Sequence, residues 1–220
     1  MSDRFYAWPR GGAGRRPPGG VRPGVPADWL RVSWLIETSR RVYTHWGDES
    51  LRDLLAAPGA VVWQEGRALR GALLASTRRG TVGDARLLAV HDDADLGQFA
   101  EEVLSAAERR LCAVGSGWLS FSSPPDWLQA LLAPRGYALK DRVITYARWG
   151  TAVAVGGDAT VAVHHALPEH VTGMAAVDAA AFEPFWQLGR ESLRRSLDED
   201  NYVLVAIAGD TTVGYLVSDV

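Results

Sequence analysis

Five histidines (His45, His91, His164, His165 and His170) and one cysteine, Cys112, are the side chains here with most to offer a metal ion or an electrophile. No spacing among the histidines matches a metal site, and Cys112 has no second thiol to pair with. His164 and His165 are adjacent on an expected strand and so point to opposite faces. Cys112 falls late on an expected helix and reads as a buried, inert thiol. No Gly-x-Ser-x-Gly elbow is present, and Gly115-Ser116-Gly117 reads as a turn into a strand. The glycines at Gly11, Gly12 and Gly14 lack the preceding strand and following helix that would make them a phosphate loop. The acidic run Asp92, Asp93 and Asp95 sits just before a helix, where Asp95 suits an N-terminal cap. No catalytic residue can be assigned from these types and spacings alone.

The bulk composition narrows the partners. Net charge is -3 and the isoelectric point is near 6.0, which gives no basis for nucleic-acid binding. No apolar run reaches the roughly 20 residues of a membrane span, and the amino terminus has no apolar signal core. A single cysteine suits a reducing compartment, so a cytoplasmic location is expected. The nine tryptophans are read as fillers of cores and inter-domain contacts.

The elements that must carry any site follow from periodicity. Residues 1–26, rich in Gly, Pro and Arg, read as a disordered tail. Trp29, Val32, Leu35 and Ile36 share a face and predict a helix running to about Tyr43. Asp48 opens a short helix with Leu51, Leu54 and Leu55, stopped at Pro58-Gly59. Strands at 60–65 and 69–76 form a hairpin, and Arg86–Val90 is a third strand. A long helix at about 97–113 presents Phe99, Val103, Leu104, Ala107 and Leu111 on one side. Trp118–Phe121 alternates as a strand, Pro124-Pro125 starts a helix ending at Arg135-Gly136, and Tyr137–Trp149 reads as closing strands. The fold class is α/β, an α+β arrangement with a mixed sheet. The hairpins require antiparallel neighbours, and the strand–helix–strand unit requires a parallel pair.

Part of this pattern occurs twice. Glu49-Ser50-Leu51, a strand, Gly66-Arg67 and Gly71 return as Glu191-Ser192-Leu193, a strand, Gly209-Asp210 and Gly214, offset by 142–143 residues. In this reading a linker spans 150–158. The second copy opens with strand Val161–Val163 and a helix from Pro168 through Phe182, continues with a helix at about 190–198, and stops after its hairpin.

The order of elements resembles the GNAT acyltransferase superfamily, and the doubled layout resembles its tandem two-domain bacterial members with a truncated second domain. The most specific local match is Leu131-Leu132-Ala133-Pro134-Arg135-Gly136-Tyr137, which resembles the family's Leu-Tyr-x-x-x-Gly-Phe. The resemblance divides the chain into a tail (1–26), a GNAT-like domain (27–149), a linker (150–158) and a partial second GNAT-like domain (159–220). It implies transfer of an acetyl group from acetyl-CoA to a primary amine. The family's strand before the long helix splays from its neighbour and pairs with the pantetheine amides, and the loop at the helix start receives the pyrophosphate. These roles would fall to Leu88, Val90, Gly97 and Gln98. The loop between the two helices of the second copy would border the acceptor pocket, with Glu183 binding a cationic amine beside Trp186.

The cofactor loop departs from the family pattern Val-x-Pro-x-x-Arg/Gln-x-x-Gly-x-Gly/Ala. Asp95 stands at the Arg/Gln position and Gln98 at the first glycine, and only Ala100 conforms. Two like charges about 5 Å apart cost roughly 1–3 kcal/mol at a surface-like dielectric, more than the roughly 0.3–1 kcal/mol a helix dipole supplies. Leu132 replaces the family's acid, a Tyr. The expectation is a first copy that binds acetyl-CoA poorly or not at all, with activity in the incomplete second copy of a longer parent. The alternative is a catalytically inactive GNAT-fold binding or dimerisation module. Partners would be a small-molecule or peptide amine acceptor, with neither nucleic acid nor membrane, and a homodimer is open to such a chain.

Overall fold

The computed structural model describes residues 20–45, 47, 49–79, 82–143, 157–198 and 201–218. Two sheets organise it. The larger has six strands: β1 (Gly20–Pro23), β2 (Arg41–Thr44), β3 (Val61–Glu65), β4 (Ala68–Arg79), β5 (Val82–Val90) and β6 (Trp118–Ser120). Their spatial order is β1-β3-β4-β5-β2, with β6 also on β5. All pairings are antiparallel except the parallel β5–β6 pair. The smaller sheet is antiparallel, with β7 (Val161–His165), β8 (Tyr202–Ala208) and β9 (Thr211–Ser218) in that order.

Both faces of the large sheet are covered. Helices α1 (Trp29–Thr38) and α2 (Leu51–Ala56) lie on one face. There Val32, Leu35, Leu54 and Leu55 pack on Val62, Leu74, Leu87 and Ala89. The opposite face carries α3 (Leu96–Phe99), a π-helical stretch Ala100–Leu104, and α4 (Ser105–Ala113), with α5 (Asp126–Leu132) beside them. Phe99, Val103, Leu104 and Leu128 bury Val61, Trp63, Leu73, Leu88 and Val90 there. The alternation along each strand sends neighbouring residues to the two cores, as period-2 geometry requires. The long helix expected from the Phe99–Leu111 stripe is present with one π turn in it, and Phe99, Val103, Leu104, Ala107 and Leu111 are all buried.

Several expectations are corrected. The first concerns the tail: Gly20–Pro23 is a strand, with Val21 opposite Trp63 and Arg22 opposite Val62. Its composition is that of a tail, but Arg22 is held by Asp28, the two terminal guanidinium nitrogens each donating to one carboxylate oxygen at 2.7 Å. Asp28 also accepts from the Val25 amide at 3.2 Å and meets Arg31 at 3.2 Å. The Arg22 hydrogen bond, with smaller help from Val25 and the nearby charges, holds the Asp28 carboxyl below its ordinary value despite its burial. The second concerns α1, which ends at Thr38 rather than near Tyr43; after an extended Ser39 the chain turns into β2. Val42-Tyr43-Thr44 favours a strand wherever an open strand edge is offered, and β5 offers one. The part of the closing strands that is described, Tyr137–Val143, forms no strand. Residues 144–149, most of the linker 150–158 and residues 1–19 of the tail lie outside the described residues.

Residues 157–218 repeat the front of this plan. A strand (β7), a Pro-initiated turn, a helix (α6, Val171–Ala181), a second helix (α7, Gly189–Asp198) and a hairpin (β8–β9) follow in the order of β1, α1, α2 and β3–β4, but no strand stands between α6 and α7 where β2 stands between α1 and α2. The hairpin details recur at the same offset. Gly66 and Gly209 both have φ of 58°, and the ladders shift register after Trp63 and after Ala206.

Candidate functional site

The edge of β5 away from β4 is the place to look for a site, since the resemblance puts the cofactor there. Strand β6 pairs with β5 only at its start, Val82 to Asp84 opposite Trp118 to Ser120. The Ser120 hydroxyl fixes that end by donating to Asp84 at 2.6 Å. Beyond Asp84 the two parallel strands part. The opening is filled by the chain itself, because Arg41, Val42, Tyr43 and Thr44 pair with Val90, Ala89, Leu88 and Leu87. The His45 amide adds a hydrogen bond to the Arg86 carbonyl at 2.8 Å.

Tyr43 stands at the junction. Its ring packs against Phe121, with centroids 5.7 Å apart. Its hydroxyl donates toward the Ser122 carbonyl at 3.1 Å, with the Ala85 carbonyl at 3.3 Å, and accepts from the Ser122 amide at 2.9 Å. One phenol thereby ties β2, β5 and the segment after β6. Burial pushes it up to about 12, only partly offset by the Ser122 hydrogen bond.

The expected cofactor positions fall as follows. Leu88 and Val90 are fully buried and paired on both sides, Leu88 between Leu73 and Tyr43, Val90 between Gly71 and Arg41. Their backbone has no open side for a pantetheine. At the helix start, Asp95 caps α3: its carboxylate accepts from the Gln98 amide at 2.8 Å. The Gln98 side chain turns to Glu102 at 2.8 Å, and Gly97 has Asp95 3.2 Å from where a Cβ would stand. The amide that a pyrophosphate would need is therefore engaged by a carboxylate of the same chain. Asp92 accepts from the Arg40 amide at 3.0 Å, so this acidic loop also anchors the entry to β2. Sequence reasoning placed the acids here but missed β2; the β-prone Arg41–Thr44 run was the available signal, hidden under the tail of a helical stripe.

Glu183 and Trp186 lie in the turn between α6 and α7. The Glu183 carboxylate takes the Lys140 ammonium at 2.6 Å, and its carbonyl receives the Trp186 amide at 2.8 Å. Phe185 stacks edge-on against Trp186 at 5.0 Å and against Trp118 at 5.6 Å. This turn docks residues 157–218 on the large sheet, and its acid already faces a cation. Leu132, where the resemblance would have put a Tyr acid, is buried in the cluster with Phe99 and Leu128. Gly136 ends the helix with φ of 83°, as the Arg135-Gly136 stop predicts. Tyr137 donates to Glu108; burial first, then this contact, raises its phenol far above the ordinary value.

The remaining reactive side chains stay apart. Cys112 is exposed, not buried as the sequence suggested: it sits on the solvent side of α4, whose buried residues are Ala107 and Leu111. Among the described residues no cluster of His, Cys, Asp and Glu could hold a metal. No helix of the described residues is long and apolar enough to cross a membrane.

No family model matches this sequence, and no curated protein matches it. Among solved structures, the chain is similar to the aminoglycoside N-acetyltransferase AAC(6')-Iy in complex with CoA, at 16% identity and a TM-score of 0.48, covering 62% of this chain and 98% of that one. It is similar to a protein of Thermus thermophilus, TTHA1254, at 19% identity and a TM-score of 0.43, covering 60% and 98%. It is also similar to the N-acetylglutamate synthase of Neisseria gonorrhoeae complexed with coenzyme A and N-acetyl-glutamate, at 18% identity and a TM-score of 0.45, covering 56% and 28%.

Proposed function

We propose that residues 20–143 form an acyltransferase-type unit of the GNAT kind that has given up its cofactor, and that this unit works as a non-catalytic binding or scaffolding module. The observation that carries the reading is the pairing of Arg41–Thr44 with Leu87–Val90. A pantetheine arm would need that edge as a strand would, so the two compete for the same backbone groups. Displacing β2 would also expose Tyr43, which is 3% accessible, and break its contacts to Ser122. Gln98's amide, held by Asp95, closes the phosphate end in the same way.

Isothermal titration of the whole chain with acetyl-CoA and with coenzyme A tests this. The expected result is no saturable heat at ligand concentrations up to about 1 mM, equivalent to less than about 4 kcal/mol of binding. Sub-micromolar binding would overturn it.

A second reading rests on the return of the same elements over residues 157–218. In it, this copy belongs to an acetyl-transferring domain that uses acetyl-CoA and a primary amine of a small molecule or peptide. Glu183 and Trp186 would then border the acceptor once Lys140 moved away. Release of free thiol from acetyl-CoA in the presence of a panel of primary amines, abolished by Glu183→Gln, is the outcome this reading requires.

A further inference from the structure

The two copies of the repeated pattern differ in what fills the corner between first strand, first helix and hairpin turn. In residues 20–143 the chain's own cations fill it. Arg22 of β1 donates to Asp28 and, at 3.1 Å, to the Gln64 side-chain oxygen. Arg31 of α1 joins them: one terminal nitrogen meets Asp28 at 3.2 Å, and the other donates to the Arg67 carbonyl in the hairpin turn at 2.6 Å. Asp28 thus holds two guanidinium groups as well as the Val25 amide.

Residues 157–218 build the same corner with other side chains. The Leu167 amide donates to His170 Nδ1 at 2.9 Å as the Val25 amide donates to Asp28. His164 stands opposite Val205 as Arg22 stands opposite Val62. At the offset of 142–143 residues, Gly173 replaces Arg31, Glu169 replaces Ala27 and Asp210 replaces Arg67. The Arg31 arm has no successor: a Cβ on Gly173 would run into Thr212, so α6 lies directly against β9 there. A groove of about 720 Å³ remains, bordered by His164, Glu169, His170, Gly173, Asp210 and Thr212. The charge has reversed as well. Three arginines and one carboxylate occupy these positions in the first copy, whereas the groove has two carboxylates and, among the described residues, no Lys or Arg. His170 cannot hold a cation as Asp28 does, because the one lone pair of the neutral ring already accepts from the Leu167 amide. The groups left to do so are Glu169 and Asp210.

We propose that this groove binds an alkylguanidinium ligand, which brings from outside the group that Arg31 supplies inside the first copy. Glu169 and Asp210 provide carboxylates for its paired N–H groups, the geometry in which a guanidinium is bound most selectively. The alkyl stem runs along Gly173 and Ile207, where the first copy has Arg31 and Gln64. The volume is that of a small-molecule site. Both acids are exposed, so binding is modest and weakens as salt rises. The inference uses none of the residues of the acyltransferase reading and stands or falls apart from it.

Amide NMR of the full, isotope-labelled chain titrated with agmatine tests it. The Gly173 and Gly209–Thr212 amides should shift along a saturable curve with a dissociation constant below about 1 mM. The matching turn of the first copy, Gly66–Leu69, should stay still, because Arg31 already occupies its carbonyl. Glu169→Gln combined with Asp210→Asn should weaken binding at least about tenfold, with the rest of the spectrum unchanged. Putrescine, a diamine of the same charge without the guanidinium fork, should bind at least about fivefold more weakly. Shifts that fail to saturate by about 10 mM overturn the proposal. So do equal shifts in the two turns, or putrescine binding as tightly as agmatine. Should the double variant fail to fold, the contrast between the two turns of the unaltered chain decides the matter by itself.

Discussion

The hairpins β3–β4 and β8–β9 share a turn glycine at φ 58° and the same register shift, yet they sit in different surroundings. One is the centre of a sheet with helices on both faces. The other has helices α6 and α7 on one face, where Val203, Val205, Met174 and Leu193 are buried, while Tyr202 and Leu216 on the other face remain half exposed. The same local pattern therefore builds the same hairpin, but the energy stored in each strand depends on its neighbours. Burial of a side chain requires groups on every side, and only the first hairpin has them.

Paired substitutions measure that difference. Leu73→Ala should cost about 2–5 kcal/mol in denaturant unfolding, because it leaves a cavity in a closed core. Leu216→Ala, at a side chain 48% exposed, should cost less than about 1 kcal/mol. Equal losses would mean that the second hairpin is as enclosed as the first. The alkaline limb of stability should show the Tyr43 latch. The phenol ionises near 10 in the unfolded chain and near 12 in the folded one, so its contribution is present below pH 10 and is lost as pH rises toward 12. The loss amounts to about 3 kcal/mol. Tyr137 and Tyr215 are shifted in the same direction, so Tyr43→Phe should flatten the limb in part, at a cost of about 1–2 kcal/mol near neutral pH.

The two hairpin glycines give a smaller contrast. A Cβ on Gly71 would run into the buried Phe99 ring, whereas one on Gly214 would meet only the Ala206 methyl at an ordinary 3.5 Å. Gly71→Ala should therefore destabilise by about 1–3 kcal/mol. Gly214→Ala should be neutral or stabilise by about 0.5 kcal/mol, since it restricts the unfolded chain. Thermal unfolding of the two variants side by side would separate them. The smallest effect is expected at the helix start: Asp95→Ala removes the cap at about 1 kcal/mol, with no gain in coenzyme A affinity while β2 stays in place.

Much of the fold was legible because its signals are local. The 3–4 residue stripe placed α1, two apolar runs around the Gly66-Arg67 turn placed β3 and β4, and Arg135-Gly136 placed the stop of the helical segment after α5. The Asp95 cap was legible for the same reason: a carboxylate before an apolar helix satisfies its first amides wherever that helix lies. The misread segments depended on distant partners. Gly20–Pro23 has the composition of a tail and becomes a strand because β3 lies beside it and Asp28 holds Arg22. Arg41–Thr44 continues a helical stripe and becomes a strand because β5 has an open edge.

The sequence by itself determined α2, the hairpins, the parallel β5–β6 unit with its long helix, and the acidic helix start, since each follows from side chains within a few turns of one another. Only the tertiary structure decided what lies along β5. A strand edge is a set of backbone groups common to every residue, so which segment pairs with it cannot be written in the edge's own side chains. It is settled by which segment reaches the edge and is then held there, and Tyr43, clamped by Ser122, is what holds β2 in place.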